Sequence, residues 1–252
     1  MRRYFEAFSY PLRRGNAGVL LLGVAVLVIV PSVLSVVPLG GSLAGIGIDL
    51  FLTGYYALFL RSILHASMEG RDDFPAWPDL ERPTDLIEDF FSLVAPFIVS
   101  FLPLILLRAS ASGFAALQSM GFLFRSAVPA GLSQASPGYA LLSVGLLILG
   151  WLYLPMAILV WTYYGGASIL NPIVVARSAW RTGASYLLLV VLVAAMISGA
   201  WGLSLLPEGF LTSIGSSLLA FYALVVAMRM LGTHYRIHRE TLEWERRAPE
   251  PV

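Results

Sequence analysis

The sequence of 252 residues contains no cysteine, no lysine and only three histidines. The absence of cysteine excludes disulfides, thiol catalysis and thiolate metal sites, and three histidines make a histidine-rich metal site unexpected. Charged residues form only 12% of the chain, about half the share of an average soluble domain. The net charge of +1 gives no indication of nucleic acid binding. The composition is therefore not that of an average soluble domain.

Apolar sequence takes the place of the missing charge. Hydrophobic residues form 58% of the chain, and the mean hydropathy is +0.80. Runs of about 20 apolar residues are long enough, as helices, to cross about 30 Å of hydrocarbon. The sequence predicts an all-α polytopic integral membrane protein, with residues 1–252 forming a single membrane domain. The predicted transmembrane helices, six in number, cover residues 17–37, 43–64, 90–107, 139–163, 185–206 and 210–231.

The first 15 residues are predicted to form a short amphipathic helix. Its apolar residues recur at helical spacing, and two arginines lie at each end. This pattern is typical of a helix at the membrane surface, and it equally fits a charged flank of the first span. The apolar residues are Tyr4, Phe5, Phe8 and Leu12.

A second amphipathic helix is predicted before the fifth span. Asn171 is a preferred N-cap residue, Pro172 fits the first helical position, and Gly183 is a typical end. The segment is too short to span a bilayer, so we expect it to lie at the interface. The connection of residues 108–138 is predicted to be either interfacial or re-entrant.

Acidic residues are concentrated between the second and third spans. Of the 15 acids in the chain, 8 lie between Glu69 and Asp89, and residues 65–89 are here called the acidic loop. Proline and tryptophan beside the acids favour a loop held at the headgroup level that binds a protein partner or lipid headgroups. The candidate interaction residues are Glu69, Asp72, Asp73, Pro75, Trp77 and Asp79.

The neighbouring carboxylates of Asp72 and Asp73 allow a different hypothesis, a lipid-modifying enzyme that uses Mg²⁺, because hard cations bind carboxylate oxygens. However, their spacing does not reproduce a repeated aspartate-rich metal motif. The sequence also lacks a nucleophile elbow, a zinc-protease motif and a phosphate-binding glycine loop. We therefore predict a non-enzymatic protein with no catalytic residue, no cofactor and no metal.

Asp49 is the only acid well inside a predicted span. Acids within membranes usually have a function, so a small transporter or permease component that uses the helix bundle is the second hypothesis. Asp49 lies near the outer end of its span, where water and headgroups reach. A hydrogen-bonded interfacial aspartate is therefore the simpler interpretation.

The arginine distribution predicts the orientation of the chain. With six spans, 14 of the 16 arginines fall on one side of the membrane, and only Arg108 and Arg125 fall on the other. The positive-inside rule then places both termini and the acidic loop in the cytoplasm, with the protein in the cell inner membrane. The tail of residues 232–252 is predicted to be polar and cytoplasmic.

Three further residues are interpreted from this orientation. His234 and His238 are predicted to lie on the surface of the polar tail. Arg229 lies at the inner end of the sixth span, where a long side chain is expected to extend towards the headgroups.

The chain shows an internal similarity at a separation of 168 residues. Residues 41–50 align with residues 209–218, and Arg61 aligns with Arg229. Both copies enter the membrane from the same side, which predicts a parallel hairpin repeat. The middle hairpin is either a diverged third copy or unrelated.

Three short motifs follow or precede the predicted spans, and they carry a resemblance. They are Glu69-Gly70, Pro75-Ala76-Trp77 and Leu170-Asn171-Pro172. With these motifs the chain resembles the prokaryotic membrane proteins grouped as domain-of-unknown-function family 4013. The resemblance implies a multi-pass membrane protein without an assigned activity, and it transfers no catalytic residue. The acid-rich continuation to Asp89 departs from the pattern.

Overall fold

The computed structural model describes residues 2–13, 16, 18–23, 25, 43–75, 83–112, 137–203 and 210–244. The regular secondary structure of these residues is entirely helical, which confirms the predicted fold class at this level. The helices are α1 (Arg2–Ser9), α2 (Leu43–Met68), α3 (Pro83–Ser112), α4 (Pro137–Tyr164), α5 (Pro172–Thr182), α6 (Ala184–Leu203) and α7 (Phe210–Leu242), with 3-10 turns at Tyr10–Leu12 and Gly166–Leu170.

Several helices are long and apolar enough to cross a membrane. In the described part of the chain these are Phe90–Ser110, Pro137–Tyr164 and Ile214–Leu242. Helices α5 and α6, bent by 105° at their junction, count as a fourth if the pair forms one span. Three or four such helices suggest a membrane protein.

The count of six spans stays a prediction. Most of residues 17–37 lies outside the described residues. Residues 43–64 are helical within α2, but side chains of α2 are described only from Gly54 onward. Most of residues 108–138 also lies outside the described residues, between the end of α3 at Ser112 and the beginning of α4 at Pro137. The hairpin repeat likewise stays a prediction.

The outer surface of α4 agrees with a lipid environment. Leu141 is 76% exposed, and Leu142, Ile148 and Leu149 are also exposed. A soluble protein rarely exposes such a continuous apolar surface. Hydrocarbon, in contrast, accepts it as long as the backbone is hydrogen-bonded within the helix.

The described residues group into two compact units, one of residues 1–93 with 179–252 and the other of residues 94–178. In the first unit, α7 packs along α2 and α6, and α1 lies against α7. Aliphatic and aromatic side chains fill the space between these helices. Fully buried examples are Phe59, Ile63, Leu189, Phe221 and Met230.

In the second unit, the ring of Phe101 packs where Gly150 leaves room on α4. Its centroid lies 5.8 Å from that of Trp151, in an edge-on arrangement. The hydroxyl of Tyr153 donates to the carbonyl oxygen of Ile169 at 2.7 Å, which attaches the second 3-10 turn to α4.

Helix α5 confirms the prediction made from its ends. The backbone N–H of Ile173 donates to Oδ1 of Asn171 at 3.1 Å, as expected of an N-cap. Pro172 is the first helical residue, and Gly183 follows the last with φ +57°. Only glycine adopts this backbone conformation without strain, so the sharp bend before α6 is encoded locally.

Helix α1 is present as predicted, but its apolar residues divide between two faces. Tyr4 and Ala7 are buried against the first unit, and so is Tyr10 in the following 3-10 turn. Phe5 and Leu12 point away and are 58% and 63% exposed. The exposed pair is therefore the part of this segment available to a membrane surface.

Helix α7 continues beyond residue 231, where the sixth span was predicted to end, and it stops at Leu242. The extension is not a simple polar tail, because Tyr235, Leu242 and Trp244 are buried. Arg181 of α5 forms an ion pair with Glu243 at 3.0 Å and donates to the carbonyl oxygen of Leu242 at 3.2 Å. Apolar contacts and this charge pair hold the extension against the unit.

Helices α2 and α7 approach each other closely at Gly232. A Cβ atom added there would lie 2.8 Å from the carbonyl oxygen of Leu64 and 2.9 Å from the backbone nitrogen of Met68. It would also collide with the Cβ atom of Ser67. Because these are mainly backbone atoms, a larger residue forces the helices apart.

We predict that Gly232→Ala destabilises the protein, because overpacking costs about 1–3 kcal/mol. The melting temperature in detergent should fall by about 5 °C or more. Gly199→Ala on α6 is the matched control, since a Cβ there meets nothing within 4 Å. It should leave the melting temperature unchanged or slightly raised. Equal effects of the two substitutions would contradict the close packing at Gly232.

Candidate functional site

Residues 65–68 of the predicted acidic loop belong to α2, and residues 83–89 belong to α3. The part after α2 begins with a well-defined turn. Gly70 has φ +81°, its N–H donates to the carbonyl oxygen of Ser67 at 3.2 Å, and the N–H of Arg71 donates to that of Ala66 at 2.8 Å. These two bonds form a Schellman motif, which requires a left-handed residue and so favours glycine. The turn directs residues 71–75 back towards α7.

Arg229 of α7 meets the returning loop. Its side chain is only 8% exposed. One terminal nitrogen, Nη1, donates to the carbonyl oxygen of Arg71 at 2.6 Å and to Oγ of Ser67 at 3.2 Å. The other, Nη2, forms an ion pair with the carboxylate of Asp72. The guanidinium therefore binds both the backbone and a side chain of the loop.

Tyr10 covers the same guanidinium from the side of α1. The Cζ atom of Arg229 lies 4.5 Å from the centre of its ring, a distance at which cation and ring attract each other. Its hydroxyl donates to the carbonyl oxygen of Asp73 at 3.1 Å. Burial raises the pKa of Tyr10 to about 12, despite the opposing effect of Arg229, so the hydroxyl remains a neutral donor.

Phe74 provides an apolar contact for the loop. Its ring centroid lies 5.2 Å from that of Tyr10 and 5.7 Å from that of Phe59 on α2. Phe59 in turn stacks on Phe221 of α7 at 6.0 Å. The loop is thus held by side chains from the 3-10 turn after α1, from α2 and from α7.

The acidic side chains of the described loop point outward. The side chains of Glu69 and Asp72 are 58% and 67% exposed, and Asp73 is exposed as well. Glu69 forms a surface ion pair with Arg71 at 2.8 Å. Pro75 is half-buried.

The structure does not describe the side chains of the other sequence-predicted site residues. Trp77 and Asp79 lie outside the described residues. Asp49 belongs to α2, but its side chain is not described. Among the described residues, there is no group of three or more histidines and acids arranged to hold a metal ion.

Sequence reasoning missed the role of Arg229. We interpreted it as extending to the headgroups, yet it is buried among protein groups. One sequence feature does indicate a paired charge. Arg229 is the only charged residue in the predicted sixth span. A charge at such a position is usually paired.

The prediction of surface histidines is wrong for His234, which is completely buried. Its Nδ1 shares a hydrogen bond of 2.7 Å with the hydroxyl of Tyr4. Its neighbour His238 shares one of 2.8 Å, through Nε2, with Oγ of Ser185 on α6. Helical periodicity places His234 on the inward face of α7. Its hydrogen bond with Tyr4 holds α1 on α7.

A cavity of about 420 Å³ lies beside the loop. Residues of α1, the loop and α7 form its wall, and most of them are charged. The lining residues are Glu6, Ala7, Arg13, Asp72, Arg229, Thr233 and Arg236.

Comparison with known proteins provides no further assignment. The chain matches no family model, no curated protein and no solved structure. The resemblance to family 4013 therefore stays a prediction, and the site is interpreted from its geometry alone.

We predict that Arg229→Gln releases the loop, because it removes the ion pair to Asp72 and shortens the donor that reaches Arg71. Cleavage by trypsin after the exposed Arg71 should become about fivefold faster or more, which corresponds to about 1 kcal/mol of lost local stability. Asp72→Asn should have a smaller effect, since the asparagine oxygen can still accept from Arg229 and the carboxylate that is lost is 67% exposed and screened by solvent.

Arg239→Gln is the control for this experiment, because Arg239 is an exposed arginine of α7 and does not line the cavity beside the loop. Its cleavage rate should match that of the unmodified chain. If Arg229→Gln left cleavage after Arg71 unchanged, Arg229 would not be what holds the loop.

Proposed function

We propose that this chain is a non-enzymatic integral membrane protein of the cell inner membrane that binds a protein partner through its cytoplasmic acidic loop. The observation that carries the proposal is the combination of a fixed loop backbone with exposed carboxylates. Arg229, Tyr10 and Phe74 hold the backbone, while Glu69 and Asp73 remain in solvent.

A loop of this kind is suited to recognition. The backbone of its described residues 69–75 is already held in place, so binding loses little conformational entropy. The carboxylate of Glu69 pairs with Arg71 of the loop itself, and that of Asp73 is exposed. Exposed charges guide a partner of the opposite sign and set its orientation. The expected partner is therefore a basic segment of a membrane or cytoplasmic protein.

The contacts in the first unit support the proposed orientation. The arginine distribution assigns α1, the acidic loop, α5 and the end of α7 to the cytoplasmic side. Tyr10 contacts the loop, Tyr4 contacts His234 of α7, and Arg181 of α5 pairs with Glu243 just after α7. Contacts of this kind are expected between segments that lie on one side of a membrane, so they support the proposed orientation.

The double substitution Glu69→Gln and Asp73→Asn tests the proposal. It removes two charges but none of the backbone contacts that hold the loop. When the protein is extracted gently from its own membrane and measured by native mass spectrometry, a stoichiometric protein companion should be present with the unmodified chain. We expect at least a tenfold loss of that companion from the double variant, about 1.4 kcal/mol of binding free energy.

Glu240→Gln provides the control, because Glu240 is an exposed acid on α7 outside the loop. The companion should be retained at its original level. The proposal would have to be abandoned if no companion were found, or if the double variant retained it fully.

A further inference from the structure

The cavity beside the loop has more positive charge than its own acids balance. Three arginines and two acids line it. Asp72 is already paired with Arg229. Among the described residues, no carboxylate forms an ion pair with Arg13 or Arg236. Within the part of the chain that the structure describes, two guanidinium groups of the wall are therefore open to an added anion.

The backbone around Arg13 is ordered. Its N–H lies 3.5 Å from the carbonyl oxygen of Tyr10, and its own carbonyl oxygen accepts from the N–H of Asn16 at 3.0 Å. The side-chain amide of Asn16 donates to the same Tyr10 oxygen at 2.8 Å. These bonds fix the point from which the Arg13 side chain reaches the cavity.

Arg236 lies over the turn of the loop. A Cβ atom added at Gly70 would lie 2.6 Å from Nη1 of Arg236 and 3.2 Å from its Cδ. The arginine side chain therefore occupies the space that the missing side chain leaves. Gly70 thus serves two purposes, since it closes the turn and lets Arg236 lie against the backbone.

We propose that this cavity binds a phosphate group through Arg13 and Arg236. Planar guanidinium groups form paired, charge-assisted hydrogen bonds to phosphate oxygens. The cavity volume of about 420 Å³ falls within the usual range of small-molecule sites, and it leaves room for a group attached to the phosphate. Arg229 contributes positive charge from the wall while its terminal nitrogens remain bonded to the loop.

The phosphate can come from a lipid headgroup or from a soluble phosphate compound. The exposed side chains of Phe5 and Leu12 lie on the segment that leads to Arg13, where acyl chains would pass. Basic pockets on the cytoplasmic side of membrane proteins commonly bind anionic headgroups. This inference goes beyond the proposed function, since the ligand is an anion and its contacts are arginines outside the acidic loop.

The experiment measures binding to the purified full-length chain in neutral detergent after removal of lipid. The probes are dihexanoyl phosphatidic acid, inorganic phosphate and dihexanoyl phosphatidylcholine, titrated by calorimetry. We expect the first to bind more tightly than the third. Arg13→Gln with Arg236→Gln should weaken phosphatidic acid binding about tenfold or more, because two charge-assisted contacts are lost.

The charge-matched control is Arg177→Gln with Arg239→Gln, which removes two exposed arginines outside the cavity. Its affinity should stay within about twofold of the unmodified chain, since neither side chain lines the cavity and exposed charges are screened. Should the cavity variant fail to fold, Arg13→Gln alone, at an exposed position, should still weaken binding about threefold or more.

Binding of phosphatidic acid without inorganic phosphate would identify a lipid headgroup as the ligand, and binding of both would identify phosphate itself. Either result supports the site. The proposal would be overturned if neither probe bound, if the cavity variants bound as tightly as the unmodified chain, or if the control lost as much affinity as the cavity variant. The cavity variants leave Glu69 and Asp73 unchanged. Loss of the protein partner and loss of phosphate binding are therefore measured independently.

Discussion

The buried guanidinium of Arg229 is the interaction on which the polar end of the first unit depends. Removing a charged group from water costs several kcal/mol unless its hydrogen bonds are replaced. Here the hydrogen bonds are replaced by the carbonyl oxygen of Arg71 and the carboxylate of Asp72. The ring of Tyr10 adds a cation–π contact. The loop must therefore fold back onto α7, and the segment after α1 must lie across both.

Close helix packing makes this arrangement possible. Gly232 lies one turn beyond Arg229 and allows α7 to touch the backbone of α2. That contact places the end of α2, and so the turn at Gly70, within reach of the Arg229 side chain. The same turn leaves room for Arg236. A loop with outward carboxylates and a cavity lined by arginines then lie side by side.

The features predicted correctly are those encoded by residues that are close together in the sequence. Asn171, Pro172 and Gly183 define both ends of α5 through local capping chemistry, and composition alone indicates helices that suit a membrane. The contacts of Arg229 with Asp72 and of Tyr4 with His234 join residues separated by 157 and 230 positions. No local pattern specifies such pairs, so the sequence revealed the acidic loop but not what holds it.

Hydrogen exchange of the full chain in lipid nanodiscs tests the central claim most directly. If Arg229 holds the loop, the amides of Glu69, Gly70 and Arg71, which donate to carbonyl oxygens at the end of α2, should exchange far more slowly than in the isolated peptide. Their protection should be lost in the Arg229→Gln variant. Exchange of these amides at the peptide rate in the unmodified chain would contradict the account.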